Sequence, residues 1–173
     1  MSSSIPCFLR TVPLIAACLL AGVHAGAHAT ADWLTAAPTC VPDSAQTLQL
    51  GLTSQSGGYT RSTGRNPPLA YFCPVWNPDD LATTPSWQHL KLQFIDPNPS
   101  GAGVTAKLYQ KNRSNGAVAL VATASSTPST TVKVISVPLP ASLNFKRYAY
   151  YVVLGLDGLD LPVEAHMVML TTN

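Results

Sequence analysis

The amino-acid sequence predicts an all-β protein, a single antiparallel β-sandwich of jelly-roll or immunoglobulin-like type that follows a cleaved signal peptide. Three observations predict it. Apolar residues in the second half of the chain recur with period two, the spacing of strands with one buried face, and no long stretch has helical spacing. Clusters of Gly, Pro, Asn, Asp and Ser interrupt these runs at the intervals expected of a sandwich or barrel. The segment behind the leader keeps two cysteines, Cys40 and Cys73, an even pair of the kind that staples a small exported domain.

The leader is read first. Arg10 precedes the mostly apolar run TVPLIAACLLAGV, and Ala27-His28-Ala29 supplies the small-x-small pattern of a signal-peptidase site. Pro13 breaks the run, which falls short of the roughly 20 apolar residues of a spanning helix. Residues 1–29 are therefore assigned as signal peptide, with cleavage after Ala29 or, second, after Ala25, and residues 30–173 as one domain with no transmembrane segment. Ile15-Ala16-Ala17-Cys18 resembles a lipobox, so anchoring through a lipidated Cys18 is the alternative to a secreted or periplasmic protein.

Cleavage removes Cys7 and Cys18 and leaves Cys40 and Cys73 to form a disulfide. A bridge between them closes a loop of about thirty residues and stabilises by roughly 3 to 4 kcal/mol in the chain-entropy model. Zinc would need further Cys or His ligands near the pair, and a redox role would need a Cys-x-x-Cys motif; neither is present.

TLQLGL and LAYFCPV are the first two predicted strands, joined by QSGGYTRSTGRNPP, which reads as a long exposed loop. In WQHLKLQFI, Leu90, Leu92 and Phe94 alternate with His89, Lys91 and Gln93. The turn DPNPSGAG leads to VTAKLYQK, with Val104, Ala106 and Leu108 on one face and Thr105, Lys107, Tyr109 and Lys111 on the other. Asn115-Gly116 is a hairpin turn that favours positive φ. VALVATA returns beyond it, apolar on both faces and so expected in the interior of a sheet. VKVISV ends at Pro138 and Pro140. RYAYYVVLGL sets Tyr148, Tyr150, Val152, Leu154 and Leu156 against Ala149, Tyr151 and Val153, and VEAHMVMLT closes the chain. The immunoglobulin variant has Tyr71 two residues before Cys73 in its favour, but no Trp lies between the cysteines.

Ten Lys and Arg face eight Asp and Glu. Spread evenly along the chain, such charges build no one-sign field, so neither nucleic acid nor an anionic membrane is implied as a partner. No Gly-x-Ser-x-Gly elbow, His-Glu-x-x-His helix or phosphate-binding glycine loop occurs. The carboxylates Asp79, Asp80, Asp157, Asp160 and Glu164 do not have calcium-loop spacing. No metal, cofactor or catalytic set is assigned.

Aromatic residues give the functional lead. Trp76, Trp87, Tyr59 and Tyr109 fall in loops or on polar strand faces, where flat rings can stack on sugars or on a protein partner. Trp76, Trp87 and Tyr109 are the candidate ligand-binding residues. The preferred reading is an exported, non-catalytic module with a protein or carbohydrate partner, or a structural component of the envelope. The alternative is a small secreted hydrolase whose loops bring Asp79, Asp80, His89 and His166 together.

Overall fold

The computed structural model describes residues 31–43, 53–56, 58–62, 68–78, 84–100, 103–158 and 161–173. The leader with Cys7 and Cys18, the TLQLGL segment, Asp79, Asp80 and Asp160 lie outside the described residues.

The strands are β1 (Trp33–Ala36), β2 (Val41–Pro42), β3 (Thr53–Ser56), β4 (Tyr59–Ser62), β5 (Leu69–Val75), β6 (His89–Asp96), β7 (Val104–Asn112), β8 (Val118–Ser125), β9 (Ser129–Pro138), β10 (Tyr148–Leu156) and β11 (Glu164–Thr171). Sheet A has the order β3-β4-β11-β6-β9, with β1 also paired to β11, and sheet B has the order β2-β5-β10-β7-β8. Every pairing is antiparallel. From β4 onward the strands interleave as β4-β11-β6-β9 against β5-β10-β7-β8, so the sandwich is of jelly-roll type rather than immunoglobulin-like.

Side-chain alternation follows the sequence pattern. Leu90, Leu92 and Phe94 of β6, Val104, Ala106 and Leu108 of β7, and Val152, Leu154 and Leu156 of β10 are buried between the sheets. A continuous apolar filling of this kind is what stabilises a two-layer domain, at roughly 25 cal/mol per Å² removed from water. Gly116 has φ +73°, the conformation that the Asn115-Gly116 turn predicts.

Two expectations need correction. Residues 55–68 are not one exposed loop, because β3 and β4 form a hairpin there, with Thr60 and Ser62 of β4 fully buried. The inward positions of β4 are polar, so that strand carries no apolar alternation. VALVATA is not interior: it forms β8, the edge of sheet B, and leaves Val118 and Leu120 more than half exposed. The uniform run reflects a bulge between Leu108 and Tyr109, which shifts the register of the facing β8 residues and breaks its period.

The lead-in crosses the sandwich. β1 pairs with β11 in sheet A, a 3-10 turn at Ala37–Thr39 follows, and β2 pairs with β5 in sheet B. Cys40 and Cys73 form the expected disulfide, with Cα atoms 4.5 Å apart, at this crossing point. Among the described residues no helix is long and apolar enough to cross a membrane.

An aromatic cap closes one end of the core. Phe145, from the segment between β9 and β10, meets Tyr150 at 4.8 Å between ring centroids. The Tyr150 hydroxyl accepts a hydrogen bond from the Asn144 N–H at 2.8 Å. Burial pushes the Tyr150 phenol above its usual value of 10.0, the Asn144 bond opposes the shift, and Tyr148 adds to it. Since the folded state holds the proton more tightly than the unfolded chain, this group's contribution is present below pH 10 and lost as pH rises beyond it. Urea midpoints of the wild type and Tyr150→Phe should therefore differ at pH 8 and converge as the pH is raised past 10. A gap that stays constant through that window would contradict the assignment.

Candidate functional site

The outer face of sheet B carries a row of aromatic and apolar side chains. On β5 the burial alternates strictly, so Leu69, Tyr71, Cys73 and Val75 point inward and Phe72 and Pro74 outward. That phase continues past the strand: Trp76 is exposed and Asn77 buried. On β10 the outward positions are Ala149, Tyr151 and Val153, and on β7 they are Thr105, Lys107, Tyr109 and Lys111.

Strand register brings these residues into one band. Val41 of β2 stands opposite Phe72, Tyr151 is opposite Pro74 on one side and Tyr109 on the other, and Leu120 of β8 is opposite Tyr109. The Phe72 and Tyr151 rings are 5.6 Å apart at 48°, and the Tyr151 and Tyr109 rings are stacked at 5.4 Å and 15°. Cross-strand aromatic pairs of this kind add about 0.5 to 1 kcal/mol each. Phe72 is 40% exposed, Trp76 60%, and Val41 62%. Three adjacent strands thus present contacting rings to solvent, with a fourth aromatic ring in the same outward phase.

The sequence candidates divide as follows. Tyr109 sits inside the band, and Trp76 lies in phase with it at the end of β5. Trp87 does not belong to it: the residue is 1% exposed and offers no face to a ligand. Its indole donates to the Ala31 carbonyl at 2.9 Å, and its ring meets Phe145 edge-on at 6.1 Å, so it is part of the core cap. Alternation extrapolated backward from Leu90 puts Trp87 outside. The parity slips at Gln88 and His89, where the Gln88 backbone bonds to Thr171 and Leu139 as the chain enters β6. Phe72 and Tyr151 were not singled out, although the inward phase of Tyr71 and Cys73 is enough to place Phe72 outside.

Sheet A carries a second, polar cluster. His166 Nε2 is 3.3 Å from Glu164 Oε2, and Arg61 Nε is 3.5 Å from Glu164 Oε1. The Tyr59 ring lies 5.3 Å from the His166 ring. These groups occur where β11 leaves regular register, between Ala165 and Met167. His89 is paired with Thr171 at the other end of β6, roughly 15 Å away at the rise of an extended strand. The two histidines named for a hydrolase site are therefore not brought together. Among the described residues no group of three or more His, Cys, Asp and Glu is placed to hold a metal ion.

No protein-family profile and no curated protein sequence matches the chain. Solved structures with a similar chain path include a mutant of the family 29 carbohydrate-binding module CBM29-2, at 13% identity over 84% of this chain and 83% of that one, with a TM-score of 0.40. Another is the family 11 carbohydrate-binding module from Clostridium thermocellum in complex with a β-1,3-1,4-mixed-linked tetrasaccharide, at 10% identity over 86% and 91%, with a TM-score of 0.42. A third is a family two carbohydrate esterase from Cellvibrio japonicus, at 11% identity over 83% of this chain and 34% of that one, with a TM-score of 0.40. At such values nothing about the ligand of this chain follows from the likeness.

Proposed function

We propose that this protein is an exported, non-catalytic glycan-binding module that holds a saccharide against the outer face of sheet B. In this reading residues 1–29 are a cleaved signal peptide and residues 30–173 the functional domain. The observation that carries it is the contacting row Phe72, Tyr151 and Tyr109 across three neighbouring strands, in phase with the exposed Trp76. A pyranose ring has one face lined by C–H groups, which packs on an aromatic ring with little loss of hydroxyl hydration. A protein partner would also be served by exposed aromatics. The row of contacting rings runs across neighbouring strands, which suits a chain of repeated sugar rings. The buried disulfide supports export, since such bonds persist in oxidising compartments.

Tryptophan emission gives a direct test because the other two tryptophans behind the leader are buried, so a ligand on this face meets Trp76 alone among them. Trp33 and Trp87 are 2% and 1% exposed, whereas Trp76 is 60% exposed. A saccharide on the platform should blue-shift or quench the emission, and Trp76→Phe should abolish the response while the protein stays folded. Trp76→Ala should weaken binding by about thirtyfold, the loss typical of one aromatic anchor, with little change in stability. An emission spectrum unmoved by a panel of soluble polysaccharides, together with flat titration heats, would refute the proposal.

A further inference from the structure

We infer that the glycan held on this platform is anionic, its carboxylate or sulfate groups pairing with Lys107 and Lys111 while its rings pack on the aromatic row; this deepens the glycan-binding reading and rests on it. The two lysines bracket Tyr109 on the outward face of β7, each two residues from it, or about 7 Å along the strand. Both are exposed. Their cross-strand neighbours carry no charge: Lys107 is opposite Val153 and Thr123, and Lys111 is opposite Ala149 and Val118. The Arg61–Glu164 ion pair and the His166–Glu164 contact are both on sheet A.

Among the described residues the sign of charge is uneven over sheet B. At the end where Lys111 lies, the Arg113 N–H donates to the Arg147 carbonyl, which brings the tip of the β7–β8 hairpin against the basic segment before β10. Arg113, Lys146 and Arg147 are all exposed there. Asp43 and Asp157 lie at the opposite end, held by their backbone N–H groups to Ala70 and Gly103. Asp96 is buried, Glu164 belongs to sheet A, and Asp32 accepts from the Thr172 N–H just beyond β11 of sheet A. Folding therefore gathers cations beside the aromatic row and leaves the described carboxylates elsewhere.

The polar groups on the platform point the same way. Amides and carboxylates are among the placed groups that orient the hydroxyls of a neutral sugar. No Asn, Gln, Asp or Glu occupies an outward position of β5, β7 or β10; those positions offer two ammonium groups, phenol hydroxyls and Thr105. Lysines on a strand also serve solubility, but that role is met by either sign of charge and does not select one.

The test measures binding of the whole protein to polygalacturonate, carboxyl-reduced polygalacturonate, chondroitin sulfate and a neutral mixed-linkage glucan, by titration calorimetry at low and moderate salt. Binding of polygalacturonate that is lost on carboxyl reduction, or binding of chondroitin sulfate, supports the inference, and the polymer that binds separates carboxylate from sulfate. The double variant Lys107→Gln/Lys111→Gln should then weaken binding about tenfold at low salt and flatten its salt dependence. Binding of the neutral glucan as tight as that of the anionic polymers, and unchanged in the double variant, would overturn the anionic inference and leave the glycan reading standing. No binding of any of the four, with Trp76 emission unchanged, would overturn both. Equally tight, salt-sensitive binding of duplex DNA or phosphatidylserine vesicles would overturn it in favour of unspecific polyanion contact.

Discussion

Replacing Asp96 with Ala is expected to lower the free energy of unfolding by about 4 kcal/mol, near the upper limit for a single substitution. The residue ends β6 on the inward phase of Leu90, Leu92 and Phe94 and is fully buried. Its carboxylate is held by four donors. Oδ1 accepts from the Asn98 backbone N–H and side-chain amide, each at 3.1 Å. Oδ2 accepts from the Gly103 N–H at 3.0 Å and from the Ser126 hydroxyl at 2.6 Å. The same hydroxyl accepts from the Val104 N–H at 2.9 Å, and Asn98 Oδ1 accepts from the Leu161 N–H at 3.2 Å. One buried carboxylate thus ties together the β6–β7 turn, the β8–β9 turn and the segment before β11. Truncation leaves several buried donors without acceptors, each worth about 1 to 3 kcal/mol.

Asp96→Asn separates charge from shape. The amide keeps one acceptor oxygen but turns an NH₂ toward two donors, so about half of the alanine cost should remain. The close packing leaves no room for rearrangement, because a Cβ at Gly103 would sit 3.0 Å from Asp96 Oδ1 and 2.8 Å from Val163 Cγ1. Urea titrations of the three proteins give the comparison. An asparagine variant as stable as the wild type would show that the carboxylate is not the organising group.

Asp96 also shows where reading the sequence stops. The alternation of β6, β7 and β10 was legible because a strand with one buried face writes its period directly into the chain. The turn at Asn115-Gly116 was legible from local chemistry. Asp96-Pro97-Asn98 has the composition of a turn, and the bond from Asn98 N–H to Asp96 Oδ1 is the Asx geometry of such a turn. Its burial was not legible, since that depends on Gly103 and Ser126, which reach the carboxylate only through the pairing of distant strands. The β3–β4 hairpin escaped for a related reason. Its inward residues, Thr60 and Ser62, are polar, so periodicity had nothing to detect.

The platform was half visible for the same physical reason. Trp76 and Tyr109 keep the phase of their strands and lie where alternation puts them. Trp87 precedes a slip of parity and ended in the core. Phe72, Tyr151 and Tyr109 become one surface only through the order β5-β10-β7, and a single sequence carries no record of which strands are neighbours. Cationic clustering has the same origin, because Arg113 and Arg147 are 34 residues apart in the chain and are joined only by one backbone hydrogen bond.

Loss of the disulfide is expected to have an effect of similar size by a different route. Cys40 and Cys73 are separated by 33 positions, and the chain-entropy model gives about 3 to 4 kcal/mol for a loop of that length. Much of this acts on the unfolded state, so the double variant Cys40→Ala/Cys73→Ala should unfold at lower urea with a steeper dependence on denaturant, because its unfolded chain exposes more surface. Part is native. The bond fixes the point where the lead-in passes from sheet A to sheet B, with β1 on one side and the two-residue β2 on the other. Without it, β1 and β2 should open before the remaining strands, which predicts early exposure of Trp33 and faster amide exchange at Leu34 and Thr35 than across β6 or β10. Both sulfurs are buried, at 3% and 0% exposure, so dithiothreitol should leave the bond intact under native conditions and reduce it only in denaturant. Ligand binding should weaken far less than stability does, because only Val41 of the platform lies on the lead-in. An alanine pair as stable as the wild type, or rapid reduction of the folded protein, would show that the bond neither constrains the chain nor lies where the fold shields it.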